Sequence, residues 1–432
     1  MKDDYRENSE SPTRTRYILV AWLCGLAGVL YLDRVCMAQA VGPIQAELEL
    51  SNTQISYALM AFTLAYGIFE IPTGRLGDRI GSRFVLTRIV IWWSLFTALT
   101  GAAWGFSALV VVRFLFGAGE AGAFPNAARV ISRWFPAHER GRVQGIMLTA
   151  AQLGGVAAPA VAAELIRGIG WRWAFVVFGM LGVIWAIGFW WWFRDDPATD
   201  SRVNSQELAI IQAGKAPVAT HSEPIPWSAV SRNSGLWMLG FIIVCSSFNS
   251  YLYYSWFPKY LEAAHGLSNV QAGRLSSLVL AGSAIGVLSG GVVADWILRG
   301  RLPVVWGRRL LGGGAYLVAA GCLALAVRAE EPMTLAILAG FSCLAVQLTL
   351  PTWWSAAIEQ SGKHIGALFG MLNMTGLIGA MGSQWFVGAL SDARKEAGFT
   401  GREQWDPMFD VFIVVLLLGS LAWLLYRKRP LP

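Results

Sequence analysis

Apolar stretches of about twenty residues, the length of helix that a bilayer demands, recur from one end of this chain to the other. They fall at 17–41, 53–73, 84–104, 107–129, 142–166, 172–193, 235–261, 271–294, 309–328, 332–357, 364–390 and 407–426. Composition agrees: 55% of the 432 residues are hydrophobic and 14% are charged, where a soluble protein would be nearer a quarter charged. The expected fold is an all-α integral membrane protein with twelve transmembrane helices. The tightest connection joins the third and fourth runs, where only Trp104 to Ser107 is available as a turn. Ala38-Gln39-Ala40 resembles a signal-cleavage site. The apolar stretch before it is longer than a signal's apolar core, so the first run reads as a retained span.

The net charge of +7 would suit a nucleic-acid binder, but its distribution does not. With the N-terminus placed in the cytoplasm, 24 of the 34 Lys and Arg fall in cytoplasmic segments and 8 in external ones. That asymmetry orients membrane proteins. The clusters Arg133, Arg140, Arg142 and Arg299, Arg301, Arg308, Arg309 are topology signals, with anionic lipid as a secondary contact. Both termini are expected in the cytoplasm, in a cell membrane (the inner one in a Gram-negative bacterium). The four histidines are scattered and the five cysteines fall inside spans without close spacing, so no metal site is expected. Catalytic residues are not expected either: no phosphate loop or hydrolase elbow occurs in the right context, so the chain does not read as an enzyme.

Residues 194–234 interrupt the apolar pattern with Asp195, Asp196, Pro197, Pro217, Pro224 and Pro226. The organisation is a cytoplasmic tail at 1–16, a six-helix bundle at 17–193, a cytoplasmic linker at 194–234, and a second six-helix bundle with a short tail at 235–432. Within the linker, Glu207–Ala213 is the helical candidate, behind Asn204 and Ser205 as caps. The halves look related. Gly141, Gly145 and Gly154 recur 225 residues later as Gly366, Gly370 and Gly379, in the fifth and eleventh spans. Gly74 and Asp78 recur 217 residues later as Gly291 and Asp295, after the second and eighth. A duplicated, pseudo-symmetric six-helix unit is how transporters build two states around a central site.

Charges within spans narrow the function. A charge at the bilayer centre costs about 2.5–3.5 kcal/mol on insertion scales, so such groups are functional by default. The first half places Asp33, Arg34, Arg113 and Glu120 there, with formal charges that cancel. Arg113 and Glu120 are two helical turns apart on one face. Asp33 and Arg34 are adjacent and point about 100° apart, so one can face a neighbouring helix and the other a cavity. A guanidinium binds a carboxylate at two points and stays charged, which makes Arg34 the candidate for a substrate carboxylate. A buried carboxylate favours its neutral form unless an arginine pairs with it. Asp33 and Glu120, with Arg113 moving between them, are the proton-coupling candidates. Tyr31, Tyr66, Gln152, Tyr251, Tyr254, Thr352, Trp353 and Asn373 could bond hydroxyls or stack on a substrate. Gln152 and Asn373 carry the clearest signal, because an amide among apolar residues needs a partner. Glu70, Glu164 and Glu359 lie near span ends and read as structural or gating groups.

Gly74-Arg75-Leu76-Gly77-Asp78-Arg79-Ile80-Gly81-Ser82-Arg83 follows the second span. It resembles the signature loop of the major facilitator superfamily, with Gly74, Asp78, Arg79 and Arg83 as gating candidates. Tyr31-Leu32-Asp33-Arg34 in the first span and the run from Arg113 to Asn126 in the fourth resemble the anion:cation symporter family, which includes bacterial transporters of galactonate, glucarate and hexuronates. The resemblance covers nearly the whole chain and extends to Trp256-Phe257-Pro258, Thr352-Trp353 and Asn373. It implies the major facilitator fold and proton-coupled uptake of a small organic anion such as an aldonate, aldarate or hexuronate. The energy source would be the transmembrane proton gradient with no cofactor, and the working unit a monomer. One departure stands out: Gly145, Gly154 and Pro159 fit the antiporter signature of the fifth span, but Ala158, Ala162 and Ala163 replace its later glycines. Transport of aromatic or dicarboxylic acids, small-molecule export and solute sensing without flux are the competing readings.

Overall fold

The protein is described here by a computed structural model covering residues 11–213, 227–298, 303–361 and 365–428, except for the side chains of Asp78, Leu298, Ile365, Gly366, Ala367 and Phe369. The expectations for the Asp78 side chain, for Arg299 and Arg301, and for the linker prolines Pro217, Pro224 and Pro226 lie outside the described residues. The helices of the first half are α1 (Thr15–Leu48), α2 (Asn52–Ile80), α3 (Ser82–Thr100), α4 (Phe106–Glu120), α5 (Ala123–Trp134) and α6 (Ala137–Trp192). The linker carries a short 3-10 turn (Pro197–Thr199), α7 (Ser205–Gln212) and α8 (Trp227–Arg232). The second half follows with α9 (Ser234–Ser255), α10 (Phe257–His265), α11 (Asn269–Leu298), α12 (Val304–Arg328), α13 (Pro332–Leu348), α14 (Leu350–Ser361), α15 (Ile365–Glu396), α16 (Gly401–Trp405) and α17 (Met408–Leu425).

These helices make twelve passes. Hydrocarbon offers backbone groups no water, so every pass closes its own hydrogen bonds. At 56 residues α6 is too long for one crossing. It leaves helical geometry at Gly170 (φ 78°, ψ 159°), a conformation that favours glycine. Residues on both sides of that point meet the same stretch of α1. Cys24 and Gly28 lie against Ile146 and Gly154, while Trp22 packs edge-on to Trp185 and Phe189. The chain therefore doubles back at Gly170, and α6 supplies the fifth and sixth passes. The connection between the third and fourth passes runs from Gly101 to Gly105, slightly earlier than the sequence suggests.

Three passes expected to be continuous are broken. The fourth stops at Glu120 and restarts at Ala123, through Gly122 at φ 85°. The tenth breaks at Thr349 between α13 and α14, the corresponding place in the second half. The seventh ends at Ser255, and Pro258 lies at the start of α10, where its missing N–H costs nothing. Polar side chains cover the exposed carbonyls. The Asn126 amide donates to Thr73 O (3.2 Å) and Gly122 O (2.8 Å), and the Thr349 hydroxyl to Val346 O (2.8 Å).

Close helix approach explains one repeated pair of glycines, Gly154 and Gly379. A Cβ at Gly154 would stand 2.5 Å from Gly28 O on α1, and one at Gly379 would collide with Val244 O on α9. These are the same contact in the two halves, fifth pass on first and eleventh on seventh. Gly74 and Gly77 have a related use: a Cβ on either would press on Pro125 or Asn126 of α5. Small residues at such points let helices pack where lipid gives no hydrophobic drive.

The linker is anchored to the first half. Asn204 caps α7 by accepting from Glu207 N (2.9 Å), close to the expected start. The fully buried Glu207 carboxylate then accepts from Thr15 N (3.1 Å), Arg16 N (3.0 Å) and Arg16 Nη1 (3.2 Å). One side chain thus satisfies the open N–H groups at the start of α1. Beside it, burial would raise the Asp200 carboxyl, but hydrogen bonds from Arg202 bring it below its usual range.

Gly154→Ala is expected to lower the apparent unfolding temperature in detergent, by the equivalent of about 1–3 kcal/mol of overpacking. Gly145→Ala, where a Cβ meets open space, should leave it unchanged. Equal shifts in the two variants would show that the Gly154 contact does not hold the fifth pass.

Candidate functional site

Asp33 and Arg34 sit mid-way along α1, and their angular separation sends them to different places. Asp33 is 1% exposed inside the first half. Arg34 reaches a central cavity of about 160 Å³ between the halves. Its Nε donates to Glu120 Oε1 (2.9 Å), and Nη2 makes an ion pair with the same oxygen. The guanidinium also lies over the rings of Tyr66 (4.9 Å), Phe62 (5.4 Å) and Tyr31 (5.5 Å), contacts that stabilise a desolvated cation. Glu120 is the last residue of α4, so the break at Gly122 ends the helix where its carboxylate meets α1.

Arg113, two turns earlier on α4, also lines the cavity and lies over Phe116 (4.4 Å) and Phe62 (5.1 Å). The sequence pairs Glu120 with Arg113; in this structure Arg34 holds Glu120. Asp33 is within electrostatic reach of Arg113 and Glu120. Neither of its carboxylate oxygens has a hydrogen-bond partner among the described residues, and the same is true of Glu120 Oε2. Two buried carboxylates with free lone pairs thus stand beside two arginines, in surroundings where an unpaired charge is costly.

Of the residues singled out for substrate, Tyr31, Arg34, Gln152, Tyr251 and Tyr254 line this cavity. Tyr66 lies behind Arg34. Thr352 and Trp353 are buried in α14, and Asn373 is exposed on α15; none of these three is in the cavity lining. The sequence reading misses Leu59, Phe62, Ser255, Gln347, Leu350 and Gln384, which complete the wall. Gln347 Nε2 donates to Ser283 Oγ (3.2 Å), which also contacts the Tyr254 hydroxyl (3.4 Å). Gln347 and Gln384 carry the signal that marks Gln152, an amide within an apolar run. Both cations of the lining, Arg34 and Arg113, come from the first half; the second half contributes hydroxyls, amides and a leucine.

The described contacts between the halves gather at the end remote from the termini. Asp392 on α15 accepts from Asn52 N (3.1 Å) and Thr53 N (2.7 Å), capping α2 from the other half. Arg274 pairs with Glu164 (3.0 Å). Gln39 Nε2 donates to Asn269 O (2.7 Å), and Asn269 Nδ2 returns to Gln39 O (3.0 Å) and reaches Glu262 (2.7 Å). Burial holds the Glu262 carboxyl above its usual range despite Asn269 and Lys259. At the end bearing the linker, the gating candidates bond within the first half. Arg83 Nε donates to Trp190 O (2.9 Å), its guanidinium lies over that ring (4.4 Å), and Asp195 caps α3 at Ser82 N (2.7 Å). Arg79 is exposed and Gly74 packs on Pro125. Arg308 pairs with Glu359, which also binds Lys428 (2.7 Å), all within the second half.

Residues 23–384 match the model of the Major Facilitator Superfamily. The chain belongs to that superfamily of transporters. This major facilitator protein is 32% identical to a probable sulfoacetate transporter of Cupriavidus necator, over 95% of this chain and 93% of the relative. It is 27% identical to a D-galactonate transporter of Escherichia coli, over 98% of each chain. Among solved structures, a bacterial homolog of the human lysosomal transporter Spinster superposes with a TM-score of 0.79 at 23% identity, over 95% of this chain and 97% of that one, which shows the fold.

Breaking a buried pair on one side leaves a charge without compensation, at a cost of about 3–5 kcal/mol. Arg34→Met is therefore expected to destabilise the purified transporter at pH 8, and adding Glu120→Gln should recover most of the loss. Additive losses across this double-mutant cycle, read by thermal unfolding, would show that the two side chains do not act as a pair.

Proposed function

We propose that this major facilitator transporter takes up a small organic anion, such as a sugar acid, driven by inward proton flow. The observation that carries the reading is Arg34 in the central cavity with Glu120 on its guanidinium. A substrate carboxylate is the right size and charge to replace Glu120 there, and Arg34's fork offers it two parallel hydrogen bonds. The exchange strands Glu120 in a dry site, where a proton neutralises it. Proton binding and anion binding thereby favour each other, which is what symport requires. Asp33 and Arg113 extend the relay. The polar wall opposite, with Tyr251, Tyr254 and Gln347, suits the hydroxyls of an aldonate, aldarate or hexuronate. The D-galactonate relative supports that class.

The energy source is the transmembrane proton gradient, and no cofactor enters the cycle. The working unit is a monomer in the cell membrane. The end bearing the termini and linker is cytoplasmic, as the Lys and Arg bias demands, and the seams at the opposite end support an inward-facing reading. Gly154 meets Gly28 as a packing contact, which gives that member of the partial antiporter signature a structural use.

Glu120→Gln fixes the neutral form. In proteoliposomes it is expected to abolish pH-driven accumulation of D-galactonate while leaving exchange of labelled for unlabelled substrate, since exchange needs no return of an empty, deprotonated carrier. Accumulation by this variant at the normal rate would remove Glu120 from proton coupling, and absence of D-galactonate transport by the parent protein would count against the substrate class. Ser205→Cys, on the exposed start of α7, should escape a membrane-impermeant maleimide in intact cells; labelling from outside would invert the orientation.

A further inference from the structure

Gln384 occupies the point where the central cavity meets the seam between the halves. It lies on α15, is 2% exposed and forms part of the cavity wall. Its Oε1 accepts from the Thr63 hydroxyl of α2 (3.1 Å), a bond between the two halves. Its Nε2 donates to Ser255 Oγ (3.2 Å), the last residue of α9 and itself a wall residue. Its backbone carbonyl accepts from Ser56 Oγ of α2 (2.8 Å) and from Trp256 Nε1 (3.1 Å).

The seam continues from there at helical spacing. One turn on, a Cβ at Gly388 would stand 2.6 Å from Asn52 O; a further turn on, Asp392 caps α2 at Asn52 and Thr53. Gln384, Gly388 and Asp392 thus form one stripe of α15 set against the outer part of α2. In this stripe Gln384 is the member that also faces the cavity. On the α2 side, Leu59 and Phe62 line the cavity next to Thr63.

We propose that Gln384 is the positioning residue that latches the outer gate from within the cavity. Its amide joins α2 to α15 through Thr63 while Ser255 fixes its orientation, so the outer exit opens when the Thr63 bond breaks. The role rests on the alternating-access reading given above. It differs from the roles of Arg34 and Glu120, because Gln384 carries no charge and acts through Thr63 rather than on a proton.

The bond can be removed cleanly. The single proton of the Thr63 hydroxyl also has Leu59 O within reach (3.3 Å), so it can turn to that acceptor in a Gln384→Leu variant. The backbone bonds from Ser56 and Trp256 do not depend on the Gln384 side chain. Gln384→Leu also removes the bond to Ser255, but that bond lies within the second half and does not tie α2 to α15; losing the one neutral bond that joins the halves shifts a two-state balance by about fivefold.

The test uses the full chain with its five cysteines replaced and Leu59→Cys as reporter, in sealed vesicles with an impermeant maleimide on the face opposite the linker. It needs no substrate, so a wrong substrate class leaves the readout untouched. Gln384→Leu and Thr63→Val should each raise the labelling rate about fivefold, the double variant no further than either single one, and Thr63→Ser should stay at the parent rate because it keeps the hydroxyl. If Gln384→Leu does not fold, the Thr63→Val and Thr63→Ser pair decides the matter alone. Rates within twofold of the parent for Thr63→Val, or a double variant that multiplies the single effects, would overturn the latch.

Discussion

A guanidinium and a carboxylate placed together in the middle of a membrane protein constrain everything around them. Arg34 and Glu120 each carry a desolvation penalty that only their contact and their neighbours offset. The aromatic rings of Tyr31, Phe62 and Tyr66 cradle the cation, and the break in the fourth pass ends α4 at the anion. The glycines of α2 belong to the same arrangement. By letting α5 approach at Pro125 and Asn126, they fix the far side of that break. The signature loop and the buried pair are thus two ends of one packing solution.

Around the cavity the second half answers this with hydroxyls and amides. Its contacts to the first half form seams in which small residues bring backbones close and short polar side chains cross between them. Ser56, Thr63 and Asp392 each use local geometry, a hydroxyl or a helix N-terminus, so the seam is built from bonds of modest individual strength. A surface that must part and re-form in each cycle is well served by contacts of modest individual strength.

Much of this was legible in the chain itself. The twelve passes follow from apolar length, and the α7 cap follows from Asn204 and Glu207. The match between Gly154 on Gly28 and Gly379 on Val244 gives one repeated pair a physical meaning, an equal backbone contact in each half, while Gly145 and Gly370 meet open space. The breaks at Gly122, Thr349 and Trp256 are each followed within three residues by a proline, Pro125, Pro351 and Pro258, a boundary signal that a reading by apolar length passes over. Partner choice was hidden. Spacing along α4 puts Arg113 and Glu120 on one face, but which arginine meets Glu120 depends on how α1 lies against α4, and periodicity holds no information on that. Gln347 and Gln384 were readable in principle, as amides in apolar runs. What the sequence could not supply was the neighbour, Ser283 for one and Thr63 for the other, that turns a buried amide into a wall residue.

The uneven distribution of charge around the cavity has an electrical consequence. A fixed charge that moves through the membrane field does work of about 2.3 kcal/mol per 100 mV. The second-half residues lining the cavity carry none, so their displacement around a bound solute couples to no voltage. In the proton-coupled cycle proposed above, the mobile charge at the cavity is that of the solute, the protons and Asp33, Arg34, Arg113 and Glu120, whose formal charges sum to zero. The current that accompanies such a cycle would report the ratio of protons to anions, with little gating charge from the cavity wall to subtract.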